Sequence, residues 1–420
     1  MRIPRFSWRK PAPHPAFVWR WIYPVVLIGF VVAAGLMADA GLENALRIKD
    51  GTVTQVETDP CKPGFLAEVD PTPTMLIIET DATNDLVGVT AMSLGVDNKG
   101  GWVLQLPREA RMKDGKLLWQ VWREAAWPPP SPTTSRSTSA PATNPVGPLS
   151  AESTAAGTAA MARAAGQLLG FSFRTDVMVL PTTALATLMA PAMPITLTLQ
   201  TPVQTVVDNS ERLLFPAGAI RIQKEIEVVQ LFETVGPTAQ ARLKRQADLW
   251  AAWIGALRSS PTASGALASG SPALVTYINA LVTGPAEYRQ LPIEEEIRDQ
   301  GLFILDADAA QTVVLAAQMV PFPLMIEPGS RLRTALFNGT GSCDLTLSAA
   351  TRFVENGAQI TVLGNATTFD VAQSEVVYYD ASLETRVETF AQSLGIDSVR
   401  LLVGESAVDI TVTLGADFKG

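Results

Sequence analysis

Met75-Leu76-Ile77-Ile78 is a continuous apolar run, and this stretch decides how the middle of the chain folds. Consecutive apolar residues in a run of this length are typical of a strand that is buried on both faces. Two further strands are predicted nearby, at Val89–Val96 and Trp102–Leu106, with a turn rich in glycine at residues 97–101 between them. Three strands so close together predict the start of a sheet.

Helical and strand patterns alternate after this sheet. The predicted helices cover Ala159–Leu169, Pro181–Ala190, Glu225–Glu233, Ala239–Leu257, Ala273–Leu281 and Ala307–Met319. The predicted strands cover Phe171–Leu180, Ile195–Thr201 and Leu302–Ile304. Alternation at this spacing predicts an α/β layered domain over residues 70–326.

Residues 127–157 differ sharply in composition from this domain. They contain three consecutive prolines at 128–130 and continue mainly in serine, threonine, alanine and proline. Such a segment cannot bury enough apolar surface to offset the entropy lost on ordering it. The sequence therefore predicts a disordered insertion at 127–157 and a second loop, rich in glycine, serine and alanine, at 259–271.

Residues 327–420 form a separate unit. Its strands are predicted at Leu332–Phe337, Gln359–Leu363, Glu375–Tyr379, Val399–Val403 and Val408–Leu414, and its helices at Leu345–Glu355 and Leu383–Leu394. The order β-α-β-β-α-β-β predicts an α+β split βαβ sandwich with both helices on one face. The Asn338-Gly339 pair predicts a tight turn, with an anion site at the following helix as the alternative.

The N-terminus predicts a membrane anchor. Residues 21–38 contain no charged side chain, and about 18–20 apolar residues cross a bilayer core as a helix. Residues 1–20 carry five arginines and lysines and no acidic residue, which predicts a cytoplasmic tail. A connector at 39–69 then leads to an extracytoplasmic body, so that the protein spans the cell membrane once. A cleaved signal peptide, cut near Ala38-Asp39-Ala40, is the alternative.

Composition limits the chemistry and the partners of the exported part. The chain has a formal charge of −9 although its first twenty residues are basic, and an acidic body argues against nucleic acid as a partner. The single histidine, His14, lies in the tail, which excludes histidine-based catalysis outside. The two cysteines, Cys61 and Cys343, lie in different predicted parts of the chain, so we predict two free thiols, with a disulfide as the alternative.

The C-terminal unit resembles the LytR C-terminal domain of bacterial envelope proteins. The resemblance rests on Leu336-Phe337-Asn338-Gly339-Thr340-Gly341 at its start, Gly364-Asn365-Ala366 in the middle and residues 409–418, DITVTLGADF, at its end. It covers nearly the whole unit. The family implies an extracytoplasmic interaction domain.

The middle domain resembles a diverged LytR–CpsA–Psr (LCP) domain. Leu104-Gln105-Leu106-Pro107-Arg108 matches the family's strand-Pro-Arg-Asp motif, residues 166–173 match its helix-to-strand junction, and Arg242, Arg245 and Gln246 match its Arg-x-x-Arg-Gln helix. The family implies transfer of glycopolymers from a polyprenyl-pyrophosphate lipid to the cell wall. It also implies a divalent cation, an apolar groove for the lipid and clustered arginines with aspartates for the pyrophosphate.

Departures from the family pattern decide between two functions. Gly88-Val89-Thr90-Ala91 stands where the family has Arg-x-Asp-Thr, Glu109 replaces an aspartate, and residues 231–235 lack the family's arginines. Because pyrophosphate transfer needs matched positive charge, we predict a non-catalytic relative without a resident cofactor. It would bind a polyprenyl-linked lipid or another cell-wall component through Arg108, Arg242 and Arg245.

The alternative is an active glycopolymer phosphotransferase that uses magnesium or manganese. Its site would comprise Asp81, Arg108, Glu109, Arg242 and Arg245. Simpler roles remain open for these residues. Arg108 could pair with a local carboxylate, Asp81 could belong to a turn, and Arg242 and Arg245, three residues apart, could lie on a solvated helix face. A transcription regulator is disfavoured because the acidic body has no basic recognition helix.

Overall fold

The apolar run at residues 75–78 lies inside a strand of a five-stranded mixed sheet. The computed structural model describes residues 57–127, 149–173, 176–208, 210–260, 271–299, 301–343 and 345–419. The predicted tail, the predicted anchor at 21–38 and most of the predicted loops at 127–157 and 259–271 lie outside these ranges. Within the described ranges, no helix is long and apolar enough to cross a membrane.

The central sheet organises residues 70–326. Its strands are β2 Thr74–Thr80, β3 Leu86–Leu94, β4 Gly101–Leu106, β5 Asp176–Pro181 and β10 Ala286–Gln290, in the order β10-β4-β3-β2-β5. Strand β2 pairs antiparallel with β3 and parallel with β5. Every residue of β2 and β3 is buried, as the continuous apolar run predicts for strands covered on both faces.

Helices cover both faces of this sheet. They are α1 Leu118–Ala126, α2 Ala151–Leu169, α3 Thr182–Met189, α4 Glu225–Glu233, α5 Ala239–Ser259, α6 Pro272–Thr283 and α7 Ala309–Met319. Helices α3 to α6 share one apolar core with the sheet, and α1, α2 and α7 share the other. The prediction of an α/β layered domain is therefore confirmed.

Short strands that the sequence patterns largely missed complete this domain. They form three antiparallel pairs: β6 Ile195–Leu199 with β9 Gly218–Ile222, β7 Val203–Val207 with β8 Ser210–Phe215, and β11 Ile293–Asp299 with β12 Leu302–Ala307. Strand β6, which was predicted, alternates buried and exposed residues as expected for a half-exposed strand.

Helix α2 corrects the predicted extent of the disordered insertion. Residues 151–157, placed in that insertion, form the first two turns of the helix. Ser150 caps it by accepting a hydrogen bond from Ser153 N at 3.0 Å, and alanine has the highest helix propensity. Gly157 permits close packing on α1, because a Cβ there would lie 2.7 Å from the Trp122 ring.

The C-terminal unit has the predicted order of elements. Its strands and helices are β13 Leu332–Asn338, α8 Leu345–Glu355, β14 Ala358–Asn365, β15 Glu375–Tyr378, α9 Glu384–Leu394, β16 Ser398–Leu401 and β17 Ile410–Leu414. Both helices contribute to one core, where the Phe353 and Phe390 rings lie 5.6 Å apart. The placement of both helices against one core is as predicted, but the split arrangement is wrong: β13 pairs directly with β14 and β15 directly with β16, so no strand separates the two strands of either βαβ unit.

The end of the predicted connector is part of this C-terminal sheet. Strand β1, Leu66–Glu68, pairs antiparallel with β14 and extends the sheet to six strands in the order β1-β14-β13-β17-β15-β16. Asn365 Nδ2 donates to the carbonyl oxygens of Pro60 at 2.9 Å and Lys62 at 2.6 Å. Residues 60–68 are therefore held against the C-terminal unit.

Cys61 and Cys343 form a disulfide, with Cα atoms 5.3 Å apart. The prediction of two free thiols is wrong because it placed the cysteines in different domains. Pairing between β1 and β14 brings Cys61 to the loop that follows β13, where Cys343 lies 282 residues further along the chain. In that loop the Asn338 side chain forms the predicted turn, accepting from Thr340 N at 2.9 Å and donating to Ser342 O at 2.7 Å.

Candidate functional site

A charge network joins the end of β4 to helix α5. Glu109 lies between two arginines: Arg108 Nε donates to its Oε1 at 3.0 Å, and Arg242 Nη2 donates to its Oε2. Arg108 Nη1 also donates to Leu86 O at 3.0 Å, at the start of β3. The structure thus brings together three of the five residues expected from the sequence. With two arginines and one glutamate, this network carries one net positive charge.

Burial distinguishes the two arginines of this network. The Arg108 side chain is 32% exposed, whereas the Arg242 side chain is 2% exposed. Desolvation lowers the pKa of Arg242, and the Glu109 carboxylate opposes this by favouring the charged form. Arg242 Nη1 is buried without a hydrogen-bond partner. Arg108 is therefore the member of the network that a ligand can reach.

Arg245 lies three residues along α5 and binds the end of another helix. Its Nε donates to Leu231 O at 2.6 Å, and its Nη2 donates to Thr234 O, at the C-terminus of α4. A cation at this end of a helix is favourable, because the helix dipole places negative charge there. Desolvation, with a smaller effect from Arg242, lowers the pKa of Arg245 to about 10. Both α5 arginines are buried, so the solvated-face interpretation is wrong.

Asp81 lies in the turn between β2 and β3 and forms no ion pair with an arginine in the described part of the chain. Its Oδ1 accepts from Thr83 N at 2.8 Å, Thr83 Oγ1 at 2.7 Å and Asp85 N at 2.9 Å. Its charged neighbour is Glu233, whose pKa is raised mainly by burial and further by the charge on Asp81. Asp81 therefore has the turn role, beside a second carboxylate.

Glu79 is a buried acid that the sequence patterns did not single out. It is fully buried at the end of β2, where its Oε1 accepts from Thr90 Oγ1. Gln105 Nε2 in turn donates to Thr90 Oγ1 at 2.7 Å. Burial raises the pKa of Glu79 to about 8, although the bond from Thr90 opposes the shift. A glutamate directly after four apolar strand residues was the available signal.

A cavity of about 260 Å³ opens beside Arg108. Its lining includes Arg108 and Glu109, a second arginine, Arg123, and an apolar rim made by Leu86, Trp119, Val235, Leu302 and Phe303. The Arg123 guanidinium lies 5.9 Å from the centre of the Trp119 ring and 3.9 Å from Asp85. Arg123 and Trp119 were missed because α1 was not predicted. We call this cavity the Arg108 pocket.

The space above the sheet next to α5 is filled by side chains. Phe232, Trp250 and Trp253 are fully buried there and belong to one apolar core. The apolar surface that borders the arginine network is instead the exposed rim of the Arg108 pocket, where Leu302 is 55% exposed.

A divalent cation, which the family resemblance implies, finds few protein ligands among the described residues. There, no group of three or more His, Cys, Asp or Glu side chains is placed to hold a metal ion. Asp81 Oδ1 already accepts three hydrogen bonds, and Thr90 donates to Glu79 where the family has an aspartate. Within the described ranges, these side chains do not form a metal site of their own.

Solved structures similar to this chain include LCP proteins. TagT from Bacillus subtilis is 11% identical, with 63% of this chain and 93% of that chain covered and a TM-score of 0.37. YwtF (TagT), with bound octaprenyl pyrophosphate lipid, is 12% identical over 63% and 92%, with a TM-score of 0.36. A LytR-Csp2A-Psr enzyme from Actinomyces oris is 17% identical over 60% and 95%, with a TM-score of 0.39.

The C-terminal unit matches a family by sequence. The family is described as "LytR cell envelope-related transcriptional attenuator", and its model, LytR_C, matches residues 331–418. No curated protein matches the chain. The predicted resemblance of the C-terminal unit is confirmed. This chain therefore carries a LytR_C domain at residues 331–418.

Proposed function

We propose that this chain is a membrane-anchored protein of the bacterial cell envelope whose central domain binds the phosphate head of a polyprenyl-linked lipid without transferring its glycopolymer. The observation that carries the proposal is the Arg108 pocket. It places two partly exposed guanidinium groups, Arg108 and Arg123, beside an exposed apolar and aromatic rim. Guanidinium groups match phosphate oxygens in geometry, and the rim offers apolar surface to the first units of a prenyl chain.

The charges inside the network favour binding over transfer. Arg242 is bonded to Glu109, and Arg245 is bonded to the carbonyls that end α4. Neither can turn toward a ligand without leaving a buried partner unpaired. Transfer of a phosphate group requires several positive charges aimed at the charge that develops in the transition state. The pocket offers only the cations at its rim.

The sequence comparisons agree with an envelope role. The LytR_C match places an envelope-related domain directly after the central domain. The structure of YwtF (TagT) contains an octaprenyl pyrophosphate lipid, which is the class of ligand proposed for the Arg108 pocket.

Binding is tested with the full-length protein in detergent and polyprenyl pyrophosphate as the probe. Arg108→Ala removes one or two charge-assisted hydrogen bonds of roughly 1.5–3 kcal/mol each, so binding should weaken about tenfold or more. Arg123→Ala should weaken binding by a similar factor. Arg289→Ala is the matched control, because Arg289 is exposed on β10 and pairs only with Glu287 among the described residues.

Two further ligands separate head from tail recognition. Uncharged polyprenol should bind more weakly than the pyrophosphate, and inorganic pyrophosphate should compete with the lipid. Equal binding of polyprenol and its pyrophosphate would contradict the proposal. So would an Arg108→Ala variant that binds as well as Arg289→Ala.

The alternative is an active phosphotransferase, and one observation favours it. Asp81 and Glu233 are close enough for the charge on Asp81 to raise the pKa of Glu233, and two carboxylates could share a cation with a bound pyrophosphate. Transfer of glycopolymer from a lipid-pyrophosphate donor, dependent on magnesium or manganese and lost in Asp81→Asn, would replace the non-catalytic proposal with this one.

The membrane anchor is proposed from the sequence, because residues 21–38 lie outside the described ranges. In intact cells, protease added outside should cut between residues 127 and 150, ahead of helix α2, while a tag at residue 1 stays protected. A digested N-terminal tag together with an uncut body would reverse the proposed orientation.

A further inference from the structure

A directed series of hydrogen bonds crosses the central sheet and ends on Glu79. Gln105 on β4 donates from Nε2 to Thr90 Oγ1 at 2.7 Å, and Thr90 on β3 donates its hydroxyl proton to Glu79 Oε1. Because the Thr90 hydroxyl has one proton and receives one from Gln105, the direction of the series is fixed. Oε1 is therefore the accepting oxygen of the Glu79 carboxyl group.

The other oxygen of Glu79 faces helix α5. Glu79 Oε2 is buried without a partner, and it lies 3.3 Å from the point that a Cβ on Gly88 would occupy. Gln246 Oε1 lies 3.3 Å from the same point. Gln246 Nε2 already donates to Phe232 O at 3.0 Å. Glu79 Oε2 and the Gln246 amide, whose Nε2 lies 3.4 Å from that point, thus face one hollow left by a residue without a side chain, and no hydrogen bond joins them in the described part of the chain.

We propose that Glu79 is a positioning residue that keeps its proton in the folded protein, and that its Oε2–H group donates toward Gln246 Oε1. The proton completes one series of bonds from Gln105 through Thr90, Glu79 and Gln246 to the carbonyl of Phe232. That series ties strands β4, β3 and β2 to helices α5 and α4. The alternative occupant of the hollow is a small cation between the two oxygens, and it would be revealed by a thermal midpoint that rises with Mg²⁺ or Na⁺.

Helix α5 is where this series meets the arginine network. Gln246 follows Arg242 by one helical turn and Arg245 by one residue, so a bond that fixes Gln246 also fixes the height of both arginines over the sheet. Arg242 in turn fixes Glu109, which holds Arg108 at its pocket. Loss of the Glu79 proton would place a negative charge against the Gln246 oxygen and push α5 away. The link from Glu79 to ligand binding at the Arg108 pocket rests on the proposed function.

The groups that face Glu79 from the neighbouring elements are uncharged. Strand β3 contributes Gly88 and Thr90, β4 contributes Gln105, β5 contributes Leu180 opposite Glu79, and α4 contributes a carbonyl. Among the charged side chains on these elements and at their ends, Arg242 and Arg108 are bonded to Glu109, and Arg245 is bonded to the carbonyls of Leu231 and Thr234. Glu233 is bonded to Thr182, and Asp81 to Thr83 and the backbone N–H of Asp85.

The test uses the full-length protein in detergent, with inorganic pyrophosphate as the probe, at pH 7 and pH 9. Glu79→Gln retains a hydrogen-bond donor where wild type has Oε2, because its amide nitrogen carries protons at every pH. Wild-type binding should fall by about tenfold more than Glu79→Gln binding between the two pH values, since the acid loses its proton in this interval. The ratio between the two proteins cancels the titration of pyrophosphate itself. Glu79→Ala should bind weakly at both pH values.

A second measurement is independent of ligand. The infrared C=O band of a protonated carboxylic acid should be present at pH 7 in wild type, absent in Glu79→Gln, and lost from wild type by pH 9. Absence of that band at pH 7 would overturn the proposal. A thermal midpoint raised by Mg²⁺ or Na⁺ in wild type but not in Glu79→Gln would also overturn it in favour of a bound cation. If pyrophosphate fails to bind wild type while the band is present, the proposed function fails and the proton on Glu79 stands.

Discussion

Arg242 Nη2 donates to Glu109 Oε2 across 133 residues of sequence, and both residues are buried, with 1% and 5% of their surface exposed. Removing one partner of a buried ion pair is strongly destabilising, because the remaining charge stays in a medium that cannot solvate it. The pair therefore fixes the end of β4 to the start of α5. It also determines which arginine can meet a ligand.

Glu109→Gln should destabilise the central domain by about 3–5 kcal/mol, because it leaves the Arg242 guanidinium buried without a countercharge. The double variant Glu109→Leu with Arg242→Met should recover much of this loss, since it removes both charges. Urea unfolding followed by tryptophan fluorescence reports mainly on this domain, because six of the nine tryptophans lie within residues 102–253 and none follows. A single variant as stable as wild type would contradict the buried pair.

Stability of the central domain should fall as the pH rises through the range set by Glu79. Burial raises its pKa from 4.5 to about 8, so the folded state holds this proton more tightly than the unfolded chain does. The contribution is full below about pH 4.5 and is lost as the pH approaches about 8, with a total on the order of 5 kcal/mol. Glu79→Gln should remove this slope in urea titrations between pH 5 and 8, and an unchanged slope would count against it.

Reduction of the disulfide should destabilise the C-terminal domain by about 2–4 kcal/mol, because the bond closes a long loop in the unfolded chain. Cys61→Ser, Cys343→Ser and the double variant should therefore be equally stable. Non-reduced wild type should migrate differently from reduced wild type on a gel. Each of the three variants should migrate alike with and without reductant. Additive losses in the double variant would show that each thiol acts separately.

Arg331 should act as a clamp between the two domains. Its Nε donates to Gly170 O at 2.9 Å, at the end of α2, and its Nη1 donates to Val354 O at 2.9 Å and Ala358 O at 3.0 Å. Arg331→Met should cost about 2 kcal/mol or more, and Arg331→Lys should recover little, because an ammonium lacks the planar fork. Scanning calorimetry measures the loss. Arg386→Met is the control, since Arg386 binds the carbonyls of Gly329 and Ser330 at the surface.

The elements that the sequence predicted well are those set by local chemistry. Helices α4 and α8 have the predicted bounds, and Gly395 ends α9 with a φ of 73°, which glycine adopts without strain. The predicted disorder at 151–157 failed because the composition rule gives no weight to the high helix propensity of alanine or to the Ser150 cap.

The candidate site was predicted in part. The motif match located Arg108, Glu109 and Arg242, which the structure brings together, but spacing could not show that Arg245 binds a helix end. Glu79, Arg123 and the disulfide escaped because each depends on contacts between distant segments. The position of β1 in the C-terminal sheet is likewise a matter of pairing that no local pattern encodes.

The attachment of residues 60–68 to the C-terminal domain has a mechanical consequence. A tension applied to the chain ahead of Cys61 reaches Cys343 through a covalent bond and spreads into the six-stranded sheet, supported by the bonds from Asn365 to Pro60 and Lys62. The central domain is inserted in the chain between β1 and β13 of this sheet, so it lies outside the path that the tension takes. A pull on the chain ahead of Cys61 would thus enter the C-terminal sheet without passing through the segment between β1 and β13.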